Sequence, residues 1–310
     1  MFAWLFPGQG TQSVGMGKQL YDNFPGARSV FERADAALGW SVSKLCFEGP
    51  EAELMLTANT QPAILTTSVA ALEALREACP ELPNPNLVAG HSLGEYTALV
   101  ASGALSLEDA VRLVSVRGRA MQEAVPAGLG AMAAIMGGSL EQVQEICAEV
   151  VDGEVVAPAN VNAPGQIVVA GHAAAVERAK TKATDAGLKA VSLKVSAPFH
   201  CALMEPAARA VEQALAKLEI APPKVPVIAN VDAQPTQSAA RIAELLIRQV
   251  NGAVLWEQSV RQIAQLGVFR ALEFGPGAVL SGLVRRIDKR IEVKSVGDPT
   301  SVAKAVAWLA

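Results

Sequence analysis

Histidine, cysteine, aromatic residues and long apolar runs are all scarce in this chain, and each shortage excludes something. Its 310 residues hold 3 histidines and 4 cysteines, and only 5% are aromatic. Lys and Arg number 26 against 30 Asp and Glu, a net charge of −4. A nucleic-acid groove therefore has neither the basic surface nor the stacking residues it needs, and no nucleic-acid partner is expected. The longest purely apolar run, Ala127 to Gly138, is too short to span a bilayer, so no membrane partner is expected either. The start, Met1-Phe-Ala-Trp-Leu-Phe-Pro7, has no basic n-region and runs straight into a turn, so it reads as a buried first strand and not a signal peptide. Cys46, Cys79, Cys147 and Cys201 are scattered, without C-x-x-C spacing or a histidine cluster. That pattern suits a reducing cytoplasm and gives no disulfide frame and no metal site.

What the chain does have is apolar residues, 51% of the total, and the length for one large domain or two modest ones. Phe2–Phe6 reads as a strand and Pro7-Gly-Gln-Gly10 as the turn after it. Asn59–Glu77 has helical spacing, with Pro62 tolerated in the first turn. Leu87–Ala89 is a short strand, Leu93–Ser102 a helix stopped by Gly103, and Ser106-Leu-Glu-Asp109 a capping-box-like start to a helix reaching Ala124. The rhythm changes after Pro126. Strands at Gly130–Met136, Val155–Val161, Gln166–Ala170 and Leu188–Val195 alternate with helices at Leu140–Val150 and Ala173–Ala186. This β-α-β-β-α-β order is the ferredoxin-like one. The expected architecture is an α/β large domain, residues 1–126 and 197–310, with a small ferredoxin-like domain, residues 127–196, inserted into it. Val225–Asn230, Ala239–Val250, Val268–Phe274 and Leu280–Ile287 supply further strand, helix, strand and helix to the large domain.

Gly90-His-Ser-Leu-Gly94 fits G-x-S-x-G, the pattern of a serine held on a strained turn between a strand and a helix, and both flanking elements are in place. Ser92 is thus the candidate nucleophile. A serine hydroxyl needs a base, normally histidine. His91 is its immediate neighbour, where side chains diverge, and His172 lies between a strand and a helix of the small domain. His200 sits where the chain returns to the large domain, at the kind of junction where ligand clefts form, and is the candidate base. Cys201 is a rival nucleophile without an elbow. Arg117 projects between Val114 and Met121 on the apolar stripe of its helix, whereas Arg112 and Arg119 point away. A buried guanidinium needs an anionic partner, either an internal Asp or Glu or a substrate carboxylate gripped bidentately. The amide of Leu93, at a helix N-terminus, is one candidate oxyanion donor, and the glycine turn around Gln9 a source of the second.

With these residues in hand, the chain closely resembles the malonyl-CoA:acyl carrier protein transacylases, acyltransferases of type II fatty acid synthesis. The resemblance covers essentially the whole length and rests on Phe6-Pro-Gly-Gln-Gly-Thr-Gln12, Gly90-His-Ser-Leu-Gly-Glu95, Arg117 and Ala159-Asn-Val-Asn-Ala-Pro-Gly-Gln166, together with Pro198-Phe-His200, Arg248-Gln249 and Glu273-Phe-Gly-Pro-Gly277. It implies that Ser92 is acylated, that His200 is the base, and that Arg117 holds the malonyl carboxylate. Gln9 and Leu93 match the oxyanion-hole amides, and Gln249 matches the residue whose backbone carbonyl orients the histidine, so no triad aspartate is expected. Asn160 falls in the strip lining the cleft, and Phe199 is as in malonyl-selective members. Thr11 replaces a frequent serine, and Pro198 departs from a common small residue. The implied fold is an α/β-hydrolase-like core with a ferredoxin-like insert. The implied partners are malonyl-CoA, as substrate, and acyl carrier protein; no cofactor and no metal are called for, and a monomer is the default expectation.

Two rivals stand beside this reading. A serine esterase or thioesterase of the ordinary α/β-hydrolase kind carries its histidine late, after an acidic residue, whereas no histidine follows His200 here. A non-catalytic carrier-protein docking module has no use for Ser92, His200 and Arg117 together. The densest basic run, Arg285-Arg-Ile-Asp-Lys-Arg290, is the candidate carrier-protein patch, with Arg286 and Lys289 as its test positions.

Overall fold

The computed structural model describes residues 1–309. Strand β1 (Phe2–Phe6) is buried along nearly its whole length, as a central parallel strand must be. Five helices follow: α1 (Lys18–Asn23), α2 (Pro25–Leu38), α3 (Val42–Glu48), α4 (Glu51–Leu54) and the long α5 (Thr57–Ala78). Then come β2 (Leu87–Gly90), α6 (Leu93–Ala101) and α7 (Leu107–Glu123). Ser106 caps α7, its side chain accepting from the Asp109 amide at 3.0 Å.

The next stretch builds a second sheet from β3 (Gly130–Met136), α8 (Leu140–Glu149), β4 (Val156–Ala163), β5 (Gln166–His172), α9 (Ala173–Asp185) and β6 (Lys189–Ser192). Its strand order is β4-β5-β3-β6 with every neighbouring pair antiparallel, which is the ferredoxin-like arrangement. The chain returns through α10 (Glu205–Leu215), β7 (Val227–Ile228), β8 (Pro235–Thr236), α11 (Ala239–Asn251), α12 (Trp256–Gln265), β9 (Arg270–Phe274), α13 (Val279–Ile287), β10 (Glu292–Val296) and α14 (Pro299–Leu309).

The large sheet has the order β10-β9-β1-β2-β7-β8, parallel except for the last pair. One face packs on α2, α5, α7 and α10 through residues such as Phe31, Leu65, Val114 and Val211. The other packs on α12 and α13 through Trp256, Ile263, Leu280 and Val284. The small sheet covers one face with α8 and α9, using Val143, Ile146, Val176 and Ala179. Met132, Val168 and Ala170 on its other face join the core of the large unit. Its edge is also stitched to the large unit: Val161 donates to the Val254 carbonyl, and Val254 to that of Ala159, each at 2.9 Å. The molecule is thus a mixed α/β unit with a parallel sheet plus a small antiparallel four-stranded unit. We propose 127 and 196 as the limits of the latter.

Several elements differ from expectation. Val225–Asn230 gives only the two-residue β7, and Leu188–Val195 only β6, because its ladder with β3 ends near Leu193 and a tight turn links Val195 to Leu193. Helices α1 to α4, α10, α12 and α14 and strands β8 and β10 add to the elements read from sequence.

Candidate active site

Ser92 sits between β2 and α6 with φ 51° and ψ −108°, a backbone state costly for a residue with a side chain. Two glycines make that turn possible. A Cβ on Gly90 would lie 1.9 Å from the Gly94 carbonyl, and one on Gly94 would lie 2.0 Å from the Phe6 carbonyl oxygen. Asn230, just beyond β7, clamps the elbow: its Oδ1 accepts from the Ser92 amide and its Nδ2 donates to the Gly90 carbonyl, both at 2.7 Å. Strand, turn and helix are therefore held so that the Ser92 hydroxyl faces a cavity.

His200 reaches that hydroxyl. Its Nε2 lies 2.7 Å from Ser92 Oγ, and its Nδ1 lies 2.9 Å from the Gln249 main-chain carbonyl. A carbonyl only accepts, so Nδ1 carries the proton and Nε2 is left to accept from the serine. His200 is itself at a positive φ of 61°. Burial, reinforced by the Arg117 guanidinium, pushes its pKa down to about 3, so the imidazole is neutral at ordinary pH. The arrangement can take a proton from Ser92 without any carboxylate behind the histidine.

Arg117 is the third member. It is 1% exposed, and its Nη1 donates to Gln61 Oε1 at 2.7 Å. Nη2 donates both to Gln249 Oε1 at 2.8 Å and to Ser92 Oγ at 3.1 Å, and the guanidinium lies 5.2 Å from the centre of the Tyr96 ring. No carboxylate lies within 4.0 Å of it among the described residues, so the internal Asp or Glu partner considered from sequence is not present as a direct ion pair. Glu95 is the acidic residue of this network, reached through Gln249. It is buried, its Oε2 accepts from Gln249 Nε2 at 2.9 Å and from the Asn230 amide at 3.1 Å, and burial pushes its pKa up to about 7.

The cavity over these groups has a volume of about 350 Å³ and is lined by Gln9, Ser92, Arg117, Asn160, Phe199 and His200, among others. The structure thus brings together six of the eight sequence-predicted residues on one wall system. Of the other two, Leu93 follows Ser92 directly and begins α6, and Gln249 backs His200 and Arg117. Among the described residues neither the Gln9 nor the Leu93 main-chain amide donates to a group of the chain. The Gln9 side chain is tied down instead, donating to Thr57 Oγ1 at 3.2 Å.

Three alternatives separate from this cluster. Cys201 turns away: its thiol donates to the Pro198 carbonyl at 3.1 Å, and burial pushes its pKa up to about 11. His172 accepts from the Val155 amide through Nδ1 at 2.8 Å, a structural role in the small unit. His91 meets Asn162 Oδ1 at 2.8 Å on the cavity wall. Gln61, Glu95 and Asn230 received no role from sequence. Gln61 and Glu95 carried the signal that singled out Arg117, a polar side chain on an otherwise apolar helix face; Asn230, after two apolar strand residues, carried none.

The chain matches the family described as acyl transferase domain over residues 3–301. It is 47% identical over 309 residues to the malonyl CoA-acyl carrier protein transacylase of Bacillus subtilis, covering 99% of this chain and 96% of that protein. The transacylase of Escherichia coli K12 is 45% identical over 306 residues, covering 98% of each. The crystal structure of an acyl-carrier-protein S-malonyltransferase from Burkholderia pseudomallei superposes with a TM-score of 0.95 at 44% identity, covering 99% of both chains. A malonyl-transacylase solved in complex with a type II PKS acyl-carrier protein gives 0.94 at 44% identity, again covering 99% of both. With fold, site geometry and full-length similarity in agreement, the chain belongs to the acyl transferase domain family, and within it to the malonyl CoA-acyl carrier protein transacylases.

Proposed function

We propose that this protein transfers the malonyl group of malonyl-CoA to the phosphopantetheine thiol of acyl carrier protein, through a malonyl ester on Ser92. The observation that carries the malonyl part is the Arg117 guanidinium, buried without a direct carboxylate partner and touching Ser92 Oγ. A dicarboxylic acyl group supplies the missing anion, and a bidentate grip fixes its thioester carbonyl beside the serine.

Ser92 Oγ attacks that carbonyl as its proton passes to His200 Nε2. The oxyanion rests on the Leu93 and Gln9 amides, which donate to no other acceptor among the described residues. The C–S bond then breaks, and the CoA sulfur leaves with the proton from His200. In the second half-reaction the pantetheine thiol gives its proton to His200, attacks the ester carbonyl, and Ser92 recovers its proton as the C–O bond breaks. Both half-reactions are run by one neutral imidazole whose tautomer the Gln249 carbonyl fixes. Asn160 and Phe199 bound the acyl space, Phe199 crowding a branch at the α-carbon. No helix among the described residues is long and apolar enough to cross a membrane, and four free cysteines, three of them buried, suit a cytoplasmic setting.

The test is to follow label from radiolabelled malonyl-CoA in the presence of acyl carrier protein. Label passing to the carrier protein supports transfer, and label released as free malonate supports the esterase reading. Absence of any protein-bound label supports a docking module.

A further inference from the structure

Gln249 serves the site twice. Its main-chain carbonyl oxygen holds His200 Nδ1 at 2.9 Å, and its side-chain Oε1 accepts from Arg117 Nη2 at 2.8 Å. A primary amide is nearly symmetric in shape, so rotating it by half a turn would present an NH₂ group to the guanidinium and repel it. What prevents that rotation lies on the far side. Gln249 Nε2 donates to the Ser92 main-chain carbonyl at 2.8 Å and to Glu95 Oε2 at 2.9 Å. The Glu95 oxygen that does this also accepts from the Asn230 amide at 3.1 Å, and Asn230 is the residue that clamps the elbow.

We infer that Glu95 is a positioning residue for malonyl selectivity: through the Gln249 amide it aims the Arg117 fork at the acyl carboxylate. The chain of contacts is Glu95 Oε2, Gln249 Nε2, Gln249 Oε1, Arg117 Nη2, and every link is buried. Buried networks of this kind reward full satisfaction and penalise a single wrong donor. Glu95 touches neither Ser92 Oγ nor His200: its route to the acyl carboxylate runs through Gln249 and Arg117, and its bond to the Asn230 amide reaches the elbow, an effect felt equally by every acyl group. The inference rests on the reading that Arg117 receives the malonyl carboxylate.

Geometry makes the substitution series unusual. A glutamine at this position can place its amide oxygen where Glu95 Oε2 now lies and accept from both Gln249 and the Asn230 amide. An aspartate keeps the carboxyl group but draws the acceptor back by one methylene, out of reach of Gln249. Glu95→Gln is therefore the conservative change and Glu95→Asp the disruptive one, the reverse of a ranking by functional group.

The experiment compares kcat/KM for malonyl-CoA and acetyl-CoA in the wild type, Glu95→Gln, Glu95→Asp and Arg117→Ala, with thermal midpoints measured alongside. For Glu95→Asp the malonyl:acetyl ratio falls about ten- to a hundredfold, carried mainly by a rise in malonyl KM, the scale of one lost hydrogen bond to a charged group. For Glu95→Gln the ratio stays within about threefold of wild type. A ratio unchanged in Glu95→Asp, or a Glu95→Gln ratio as low as that of Glu95→Asp, overturns the inference. A parallel fall for both substrates with a lowered thermal midpoint overturns it too, since that is what a merely structural residue would give. Arg117→Ala separates the two levels. If its ratio does not fall, the reading of Arg117 is wrong; if it falls and that of Glu95→Asp does not, only the role of Glu95 is wrong.

Discussion

Arg117 Nη2 donates to Ser92 Oγ at 3.1 Å, so the cation proposed to select the acyl group also touches the oxygen proposed to carry it. The same guanidinium is the second cause, after burial, of the low pKa of His200. In the proposed reaction a malonyl carboxylate on Arg117 offsets that positive charge and raises the basicity of His200. An acetyl group does not.

Truncating one side of a desolvated charge pair costs roughly 2–5 kcal/mol, or about thirty- to several-thousand-fold in rate. Arg117→Ala therefore loses malonyl kcat/KM on that scale, while acetyl kcat/KM holds or rises. Steady-state kinetics with both thioesters checks this. An equal fall for both substrates makes Arg117 a structural residue and removes it from the specificity account.

Two of the shifted buried groups, His200 and Glu95, leave opposite marks on stability. His200 ionises at about 3 when folded, below the ordinary histidine value, so the unfolded chain holds more protons through the window between them. Its contribution to stability is therefore lost as pH falls from about 6.5 toward 3. Glu95, raised to about 7, makes the folded chain hold more protons between the ordinary glutamate value and 7. Its contribution is present below that window and lost as pH rises through 7. Urea midpoints at pH 5 and pH 8 test both signs. Relative to wild type, His200→Gln gains stability at pH 5 compared with pH 8, and Glu95→Gln gains at pH 8 compared with pH 5. A difference between variant and wild type that does not change with pH contradicts the assignment of that group.

The structure changes the choice of residues for testing the basic run at the C-terminal end of α13. Arg286 is engaged by Gln166 of the small sheet, and Arg290 pairs with Asp288 at 2.6 Å. Arg285, on α13, and Lys289, in the turn just past it, are exposed and line a surface cavity of about 580 Å³. Reversing both to Glu raises KM for an acidic carrier protein, more steeply at low ionic strength, and leaves acylation by malonyl-CoA unchanged. An unchanged carrier-protein KM at low salt excludes this patch.

Much of this was legible because the site is built from strong local signals. Gly90, Ser92 and Gly94 announce the elbow through what a Cβ at either glycine would strike. The three- and four-residue helical spacing of α7 places Arg117 between Val114 and Met121, and all three are buried. The β-α-β-β-α-β alternation gave the small sheet without any tertiary information. What stayed hidden depends on contacts between distant segments. Asn230 reaches Gly90 across 140 positions, and Gln249 reaches Glu95 across 154. Short amphipathic helices between residues 18 and 54 are stabilised by packing on α5 and not by a long periodic pattern, so their sequence signal is weak. Strand β10 is a half-exposed edge with Lys and Glu along it, which reads as loop until its pairing with β9 is seen.

The central claim is that acyl transfer passes through Ser92 with His200 as its only base. The most direct test is the intact mass of the enzyme after brief exposure to malonyl-CoA without carrier protein, followed by peptide mapping. Wild type gains one malonyl group, located on the peptide that carries Ser92. Ser92→Ala gains none, and His200→Ala is acylated far more slowly. The double variant is no worse than Ser92→Ala alone, because members of such a unit lose function together. Malonylation of Ser92→Ala at the same rate as wild type, at Cys201 or any other residue, would contradict the account.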